Sequence, residues 1–142
     1  MTDFPIVKAT PEEAVYVDDQ LVDFNREQVP FTQIPNPVMM NYVIKKNDLV
    51  IAGINAALYH WGMLYISELF VNAKFRGQRL GSQLLEHVEA EALTFGSTLS
   101  HCDTFDFQAK DFYLKHGYCI FGVLEDCPPG HQRYYLSKKL SK

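Results

Sequence analysis

Residues 71–90 read VNAKFRGQRLGSQLLEHVEA. The stretch leaves an apolar strand and enters a helix. Between the two stand Lys74, Arg76 and Arg79, together with Gly77 and Gly81. A helix N-terminus presents free backbone N–H groups and a partial positive charge. Glycines there let an anion approach the backbone, and lysine or arginine nearby adds charge. The stretch therefore reads as a diphosphate cradle at a strand–loop–helix junction or, more plainly, as a solvated basic turn before an acidic helix. Two nucleotide motifs do not fit it. A Walker A loop needs a lysine–hydroxyl pair after its second glycine, and a dinucleotide fingerprint needs GxGxxG after the strand. Neither occurs here.

The flanks of this stretch set the fold class. Upstream, residues 63–71 (MLYISELFV) form a strand, and residues 49–60 and 38–46 form two more, with a hairpin at Asn47-Asp48 and a turn at His60-Trp61-Gly62. Downstream, Leu80, Leu84, Leu85, Val88 and Ala92 recur on one helical face, Glu86 and Glu89 are expected on the other, and Gly96 is placed to end the helix. Residues 98–105 form a strand, 108–116 a short helix, 118–125 a strand and 132–140 the last strand. At the start, residues 4–9 read as a first strand. Thr10, Pro11 and Glu13 open a helix with a capping box, and Ala14, Val17, Leu21 and Phe24 give it one stripe to bury. Three prolines in residues 26–37 oppose a long helix there. The order β-α-β-β-β-α-β-α-β-β predicts an α/β domain with a mixed sheet. Its strands 63–71 and 98–105 should be parallel neighbours across the helix that joins them.

The whole chain has 142 residues, 47% hydrophobic and 21% charged, which suits one domain over residues 1–142. A net charge of −4 argues against a general nucleic-acid partner. No apolar run is long enough for a membrane span, and residues 1–10 lack a signal-peptide pattern. Three dispersed cysteines, Cys102, Cys119 and Cys127, fit reduced thiols in a cytoplasm. Cys127 and His131 have no partners at metal-ligand spacing, so no metal is expected.

Two separated motifs carry a family resemblance. Arg76-Gly77-Gln78-Arg79-Leu80-Gly81 resembles the [QR]-x-x-G-x-[GA] pyrophosphate loop of the GNAT superfamily of acetyl-CoA-dependent N-acetyltransferases, with Arg79 where that loop usually has glycine. FQAKDFYLKHGY resembles the family's second motif, A-x-x-F-Y-x-x-x-G-[FY], through Ala109, Phe112, Tyr113, Gly117 and Tyr118. Asp106 stands where the family often has asparagine. The resemblance implies a GNAT-like, mostly antiparallel central sheet with a parallel βαβ core and flanking helices.

It also implies a chemistry. Acetyl transfer from a thioester to an amine needs a neutral amine, a hydrogen-bond donor for the thioester oxygen, and a proton for the leaving thiolate. The resemblance assigns the second need to the backbone of Leu69, Phe70 and Val71, beside a bulge that splays the two parallel strands to admit pantetheine. It assigns the phosphates to Arg76, Gly77, Gln78, Arg79, Leu80, Gly81 and Ser82, with Asp106 also on the cofactor, and the general acid to Tyr113. Glu68, an ionisable residue within an apolar strand, is the candidate base, with Asp103, His101 or water as alternatives. Segments 25–37 and 125–132, with Asn25, Phe31, Glu125, Asp126 and His131, flank the expected acceptor side. The expected function is transfer of acetyl from acetyl-CoA, as co-substrate and without metal, to a primary amine of a small molecule or peptide in a ternary complex. A homodimer is compatible with this, and a non-catalytic acyl-CoA-binding sensor or interaction module is the alternative.

Overall fold

The computed structural model describes residues 3–141, so Met1, Thr2 and Lys142 of the expected 1–142 domain lie outside the described residues. The chain falls into two compact units, one ending at Phe31 and one beginning at Thr32. The first unit is essentially one helix, α1 (Pro11–Gln28). The expected capping box is present: Glu13 N donates to Thr10 Oγ1 at 3.1 Å, and Thr10 N donates to Glu13 Oε1 at 2.9 Å. Two expectations fail here. Residues 4–9 form no strand, because a strand needs a ladder partner and the unit supplies none. The stripe of Ala14, Val17, Leu21 and Phe24 is exposed and no residue of α1 is buried, since a lone helix has nothing in its own unit to pack on.

Among its described residues the second unit holds seven strands and two further α-helices. Its strands are β1 (Val38–Met39), β2 (Tyr42–Lys46), β3 (Leu49–Tyr59), β4 (Met63–Val71), β5 (Leu99–Phe105), β6 (Cys119–Glu125) and β7 (Gln132–Lys139). Its helices are α2 (Leu80–Thr94) and α3 (Lys110–Lys115). The sheet runs β1-β3-β4-β5-β7-β6, with β2 also paired to β3. Among the described residues only β4 and β5 pair in parallel. This is the α/β mixed sheet expected from the element order without its first strand, and the mostly antiparallel pairing that the resemblance implies.

Hydrophobic patterning explains the layers. Ala52, Ile54, Ala56 and Leu58 of β3, Leu64 and Ile66 of β4, and Leu84, Leu85, Val88 and Ala92 of α2 pack together as the core. Burying one such large aliphatic side chain stabilises by about 1.5–3 kcal/mol. Asn47 and Asp48 both take positive φ (51° and 65°), as a two-residue hairpin of this hand requires. Gly96, at φ +81°, ends α2 as expected. The expected strand 38–46 is broken, because Met40 turns inward to full burial while still exchanging backbone bonds with Ala56.

Glu89 corrects another expectation. It points inward and is 8% exposed. Lys138 Nζ donates to its Oε1 at 2.8 Å, and the Tyr118 hydroxyl donates to its Oε2 at 2.8 Å. That leaves Ser100 Oγ to donate to Tyr118 at 2.7 Å. A buried carboxylate is tolerable when paired and hydrogen-bonded in this way.

This network sets a stability test. Tyr118→Phe leaves a Glu89 oxygen and the Ser100 hydroxyl without a partner, at an expected cost of about 1–3 kcal/mol. Urea unfolding measures it, and an unchanged midpoint refutes it. Burial, with the Glu89 charge beside it, holds the Tyr118 phenol far above its ordinary range. Above about pH 10 the unfolded chain gives up this proton and the folded chain keeps it, so stability falls as pH rises. Tyr118→Phe should flatten that alkaline decline.

Candidate active site

The site begins with a register change in β4. Asn55 of β3 pairs with Glu68, but the next residue, Ala56, pairs with Ile66, so Ser67 is an extra residue on β4. The Ser67 hydroxyl donates to Asn55 O at 3.0 Å, fixing the bulge. Inward positions shift with it: Leu64 and Ile66 face the core before the bulge, Leu69 and Val71 after it. The expected bulge at Leu69–Val71 therefore sits slightly earlier. Its effect is on the parallel pair, where pairing ends at Ile66 and Cys102 although β4 continues to Val71 and β5 to Phe105. One edge of β4 over Leu69, Phe70 and Val71 is thus left without β5 beside it.

A cleft of about 900 Å³ occupies this opening. It is lined by Ser67–Val71, by Arg76, Gly77, Arg79, Leu80, Gly81 and Ser82, and by Asp103, Thr104, Asp106–Tyr113 and Phe75. Of the residues expected to bind the cofactor or to serve as acid or first-choice base, Gln78 stands outside the lining; so do the alternative base His101 and the acceptor-side residues Glu125, Asp126 and His131. Two distant stretches of sequence, 76–82 and 106–113, are thereby brought to one cavity.

The cradle is built by backbone conformation. Asn72 Oδ1 accepts from Lys74 N at 2.9 Å and caps a short 3₁₀ turn, Ala73–Phe75. Arg76 Nε donates to Val71 O at 3.3 Å. Gly77 has φ +81°, and Arg79 is left-handed at φ 60° and ψ 23°. The position where the family's loop usually has glycine is thus one that asks for a left-handed residue, and arginine takes it at a cost of about 1–2 kcal/mol. The Arg79 side chain lies out in solvent, 3.3 Å from Glu86. The first turn of α2 carries no acidic residue and no side-chain cap. Its N–H groups and partial positive charge therefore have no acidic side chain of their own turn to compensate them, and Leu80, Gly81 and Ser82 line the cleft. A Cβ at Gly81 would meet the Phe112 ring of α3 at 3.4 Å, in van der Waals contact.

The titratable groups divide by how they are engaged. Tyr113 is 4% exposed, and burial pushes its phenol far above the ordinary range, so the hydroxyl keeps its proton. Asp103 has both carboxylate oxygens in use: Arg133 holds Oδ1 through Nε at 3.0 Å and through a second guanidinium nitrogen, and the Tyr65 hydroxyl donates to Oδ2 at 3.0 Å. His101 Nε2 lies 2.8 Å from the Tyr59 hydroxyl, and burial lowers its proton affinity. Asp106 accepts from Gln132 N at 2.9 Å and pairs with His131 at 2.9 Å; these bonds hold its carboxyl below the ordinary range. Glu68 is exposed at the cleft and carries no such engagement.

Sequence reasoning missed Arg133 and Phe107. Arg133 reaches Asp103 from thirty residues away, and no local pattern marks that pair. Phe107 did leave a signal, a large apolar residue in the turn between a strand and a helix. Of the expected acceptor-side residues, Glu125 accepts from Gln132 Nε2 at 2.7 Å and Asp126 accepts from Gly130 N at 3.4 Å, so both help to shape the β6–β7 loop. Asn25 and Phe31 belong to the first unit, where the Phe31 ring lies under the Arg26 guanidinium at 4.9 Å.

Comparison with known proteins agrees with this geometry. Residues 9–118 match the model of the acetyltransferase (GNAT) family, and the chain belongs to that family. An acetyltransferase structure from Bacillus cereus superposes with a TM-score of 0.88 and 32% identity, covering 96% of this chain and 98% of that one. Blasticidin-S acetyltransferase of Streptomyces morookaense is 41% identical over 81 residues, a match covering 56% of this chain and 60% of that relative's length. An acetyltransferase of Agrobacterium fabrum is 29% identical over 100 residues, 70% of this chain and 73% of its own.

The loop conformation has opposite consequences at two positions. Gly77→Ala meets no atom within 4 Å but must hold φ +81°, so a loss of about 1 kcal/mol is expected. Arg79→Gly relieves a left-handed arginine and gives up an exposed ion pair worth about 0–1 kcal/mol. Its stability should equal or exceed that of the parent chain. Paired denaturant midpoints check both, and a clear loss for Arg79→Gly contradicts the argument.

Proposed function

We propose that the chain is a single-domain N-acetyltransferase that moves acetyl from acetyl-CoA to a primary amine in a ternary complex. The observation that carries this is the stretch of β4 left unpaired beside an uncompensated helix N-terminus. The first offers a ladder edge to the amides of an extended pantetheine arm, as an added strand would use it. The second offers N–H groups to a diphosphate. One cleft joins them, and its residues fit acetyl-CoA as co-substrate. The name of one relative, blasticidin-S acetyltransferase, supports a small-molecule acceptor over a peptide.

Each chemical need then has a group. Glu68, open to the cleft, takes the proton of an incoming ammonium, directly or through water, and frees its lone pair. Asp103 and His101 are poorer bases, because Arg133 and Tyr65 occupy the one and burial opposes protonation of the other. The amine attacks the thioester carbon, and backbone N–H groups of the Leu69–Val71 edge stabilise the oxygen as charge develops. Collapse forms the amide and breaks the C–S bond, and the proton shed by the nitrogen passes through water to the thiolate. Tyr113 holds a hydrogen bond to the departing sulfur. Its raised proton affinity favours donating that bond over surrendering the proton. Among the described residues no helix is long and apolar enough to cross a membrane, and the proposed setting is the cytoplasm.

Binding and turnover test separate parts of this proposal. Acetyl-CoA titrated calorimetrically should bind the parent chain and lose about tenfold or more in affinity with Gly81→Asp, which puts a carboxylate against Phe112 and the phosphates. Tyr113→Phe and Glu68→Gln should bind acetyl-CoA normally. Their turnover should fall by about 10²-fold or more for a general base and a transition-state hydrogen bond. A folded parent chain that binds neither acetyl-CoA nor desulfo-CoA overturns the proposal. Tight binding without CoA release across an amine panel favours the acyl-CoA sensor.

A further inference from the structure

Phe107 is 60% exposed, although it is a phenylalanine and lines the cleft. Its ring is nonetheless held. It lies parallel to Phe105, with centroids 5.3 Å apart and an interplanar angle of 5°. His131 meets it edge-on at 5.3 Å and 83°, and His131 is itself tied to Asp106 at 2.9 Å. The Arg133 guanidinium, locked onto Asp103, covers Phe105 at 5.3 Å. The ring is therefore positioned by its neighbours while much of its surface stays open. An oriented, exposed aromatic surface in a cleft is suited to stacking.

We propose that Phe107 is a specificity-determining residue, a platform for a planar ring carried by the amine acceptor, so that the acceptors are aromatic or heteroaromatic amines. The proposal rests on the acetyltransferase reading. Charge decides which co-substrate supplies the ring. On the β5–α3 side of the cleft Phe107 stands with Asp103 (paired with Arg133), Asp106 and Asp111 against one lining cation, Lys110, and Glu68 adds a carboxylate from β4. Arg76 and Arg79 lie in the β4–α2 connection. A polyphosphorylated coenzyme is drawn to the arginines and repelled by the carboxylates. A cationic amine attached to a ring has the opposite preference. With the ring on Phe107 its ammonium is drawn toward Glu68, where it has to lose a proton.

The test uses tryptamine and hexylamine, two primary amines that differ in the presence of a planar ring. Each is titrated calorimetrically into the parent chain, Phe107→Ala and Phe107→Tyr, all preloaded with desulfo-CoA, and each is assayed for CoA release from acetyl-CoA. The parent chain should favour tryptamine by about tenfold, the upper range of what ring stacking supplies. Phe107→Ala should abolish that preference, Phe107→Tyr should keep it, and the KM for acetyl-CoA should not move. Because Phe107 is exposed, its removal does not threaten folding. Equal binding of the two amines by the parent chain overturns the proposal. So does a Phe107→Ala variant that raises the KM for acetyl-CoA but not for S-acetylpantetheine, since the ring is then the coenzyme's adenine. An intact ring preference without CoA release from either amine upholds the platform and counts against acetyl transfer.

Discussion

The parallel ladder between β4 and β5 stops at Ile66 and Cys102, and the site depends on that stop. A sheet interior normally satisfies every backbone group with its neighbours. Here Ser67 adds one residue to β4, the strand changes phase, and β5 departs toward β7. The interruption sits where the α2 N-terminus and the α3 helix both point at the gap. A fully paired sheet would bury these groups, and a gap farther along the strand would leave them unserved by the cradle. The rest of the sheet is ordinary antiparallel packing that holds this break open against the core beneath it.

Much of this was legible in the sequence, and the limits follow from distance along the chain. Strand 63–71 and helix 80–94 declare themselves through local periodicity, which local residues decide. The phase break is readable too, since Leu64 and Ile66 give way to Leu69 and Val71 around a polar Ser-Glu pair. Glu89 was misread because its partners Tyr118 and Lys138 are remote and its charge was weighed above its position, four residues after Leu85 and three before Ala92 on one side of the helix. Arg133 escaped for the same reason. The segment at residues 4–9 has strand-like composition, but a strand exists only through a partner. Two motifs marked residues 76–81 and 109–113, which apart from Gln78 line one cleft, whereas the place of Phe107 in it and the engagement of each carboxylate were not legible.

That engagement gives the site its polarity. Arg133 and Tyr65 commit Asp103, and the Gln132 amide and His131 commit Asp106, while Glu68 and Asp111 line the cleft without such engagement. The same bonds also orient the aromatic pair beside them. Structural ion pairs and substrate recognition thus share residues here, so a change at Arg133 affects both the charge of Asp103 and the support under Phe105.

The three cysteines have a practical consequence for anyone following liberated coenzyme with a thiol-reactive dye. Cys119 is exposed on the edge strand β6 and Cys127 is partly covered. Cys102 is buried, and burial raises its thiol to about 12, which leaves almost no thiolate near neutral pH. The protein itself therefore contributes a dye signal from Cys119, with a slower one from Cys127, while Cys102 stays silent as long as the chain is folded. Delayed labelling of Cys102 is thus an internal clock for opening of the sheet between β4 and β5, readable in the same cuvette as the reaction.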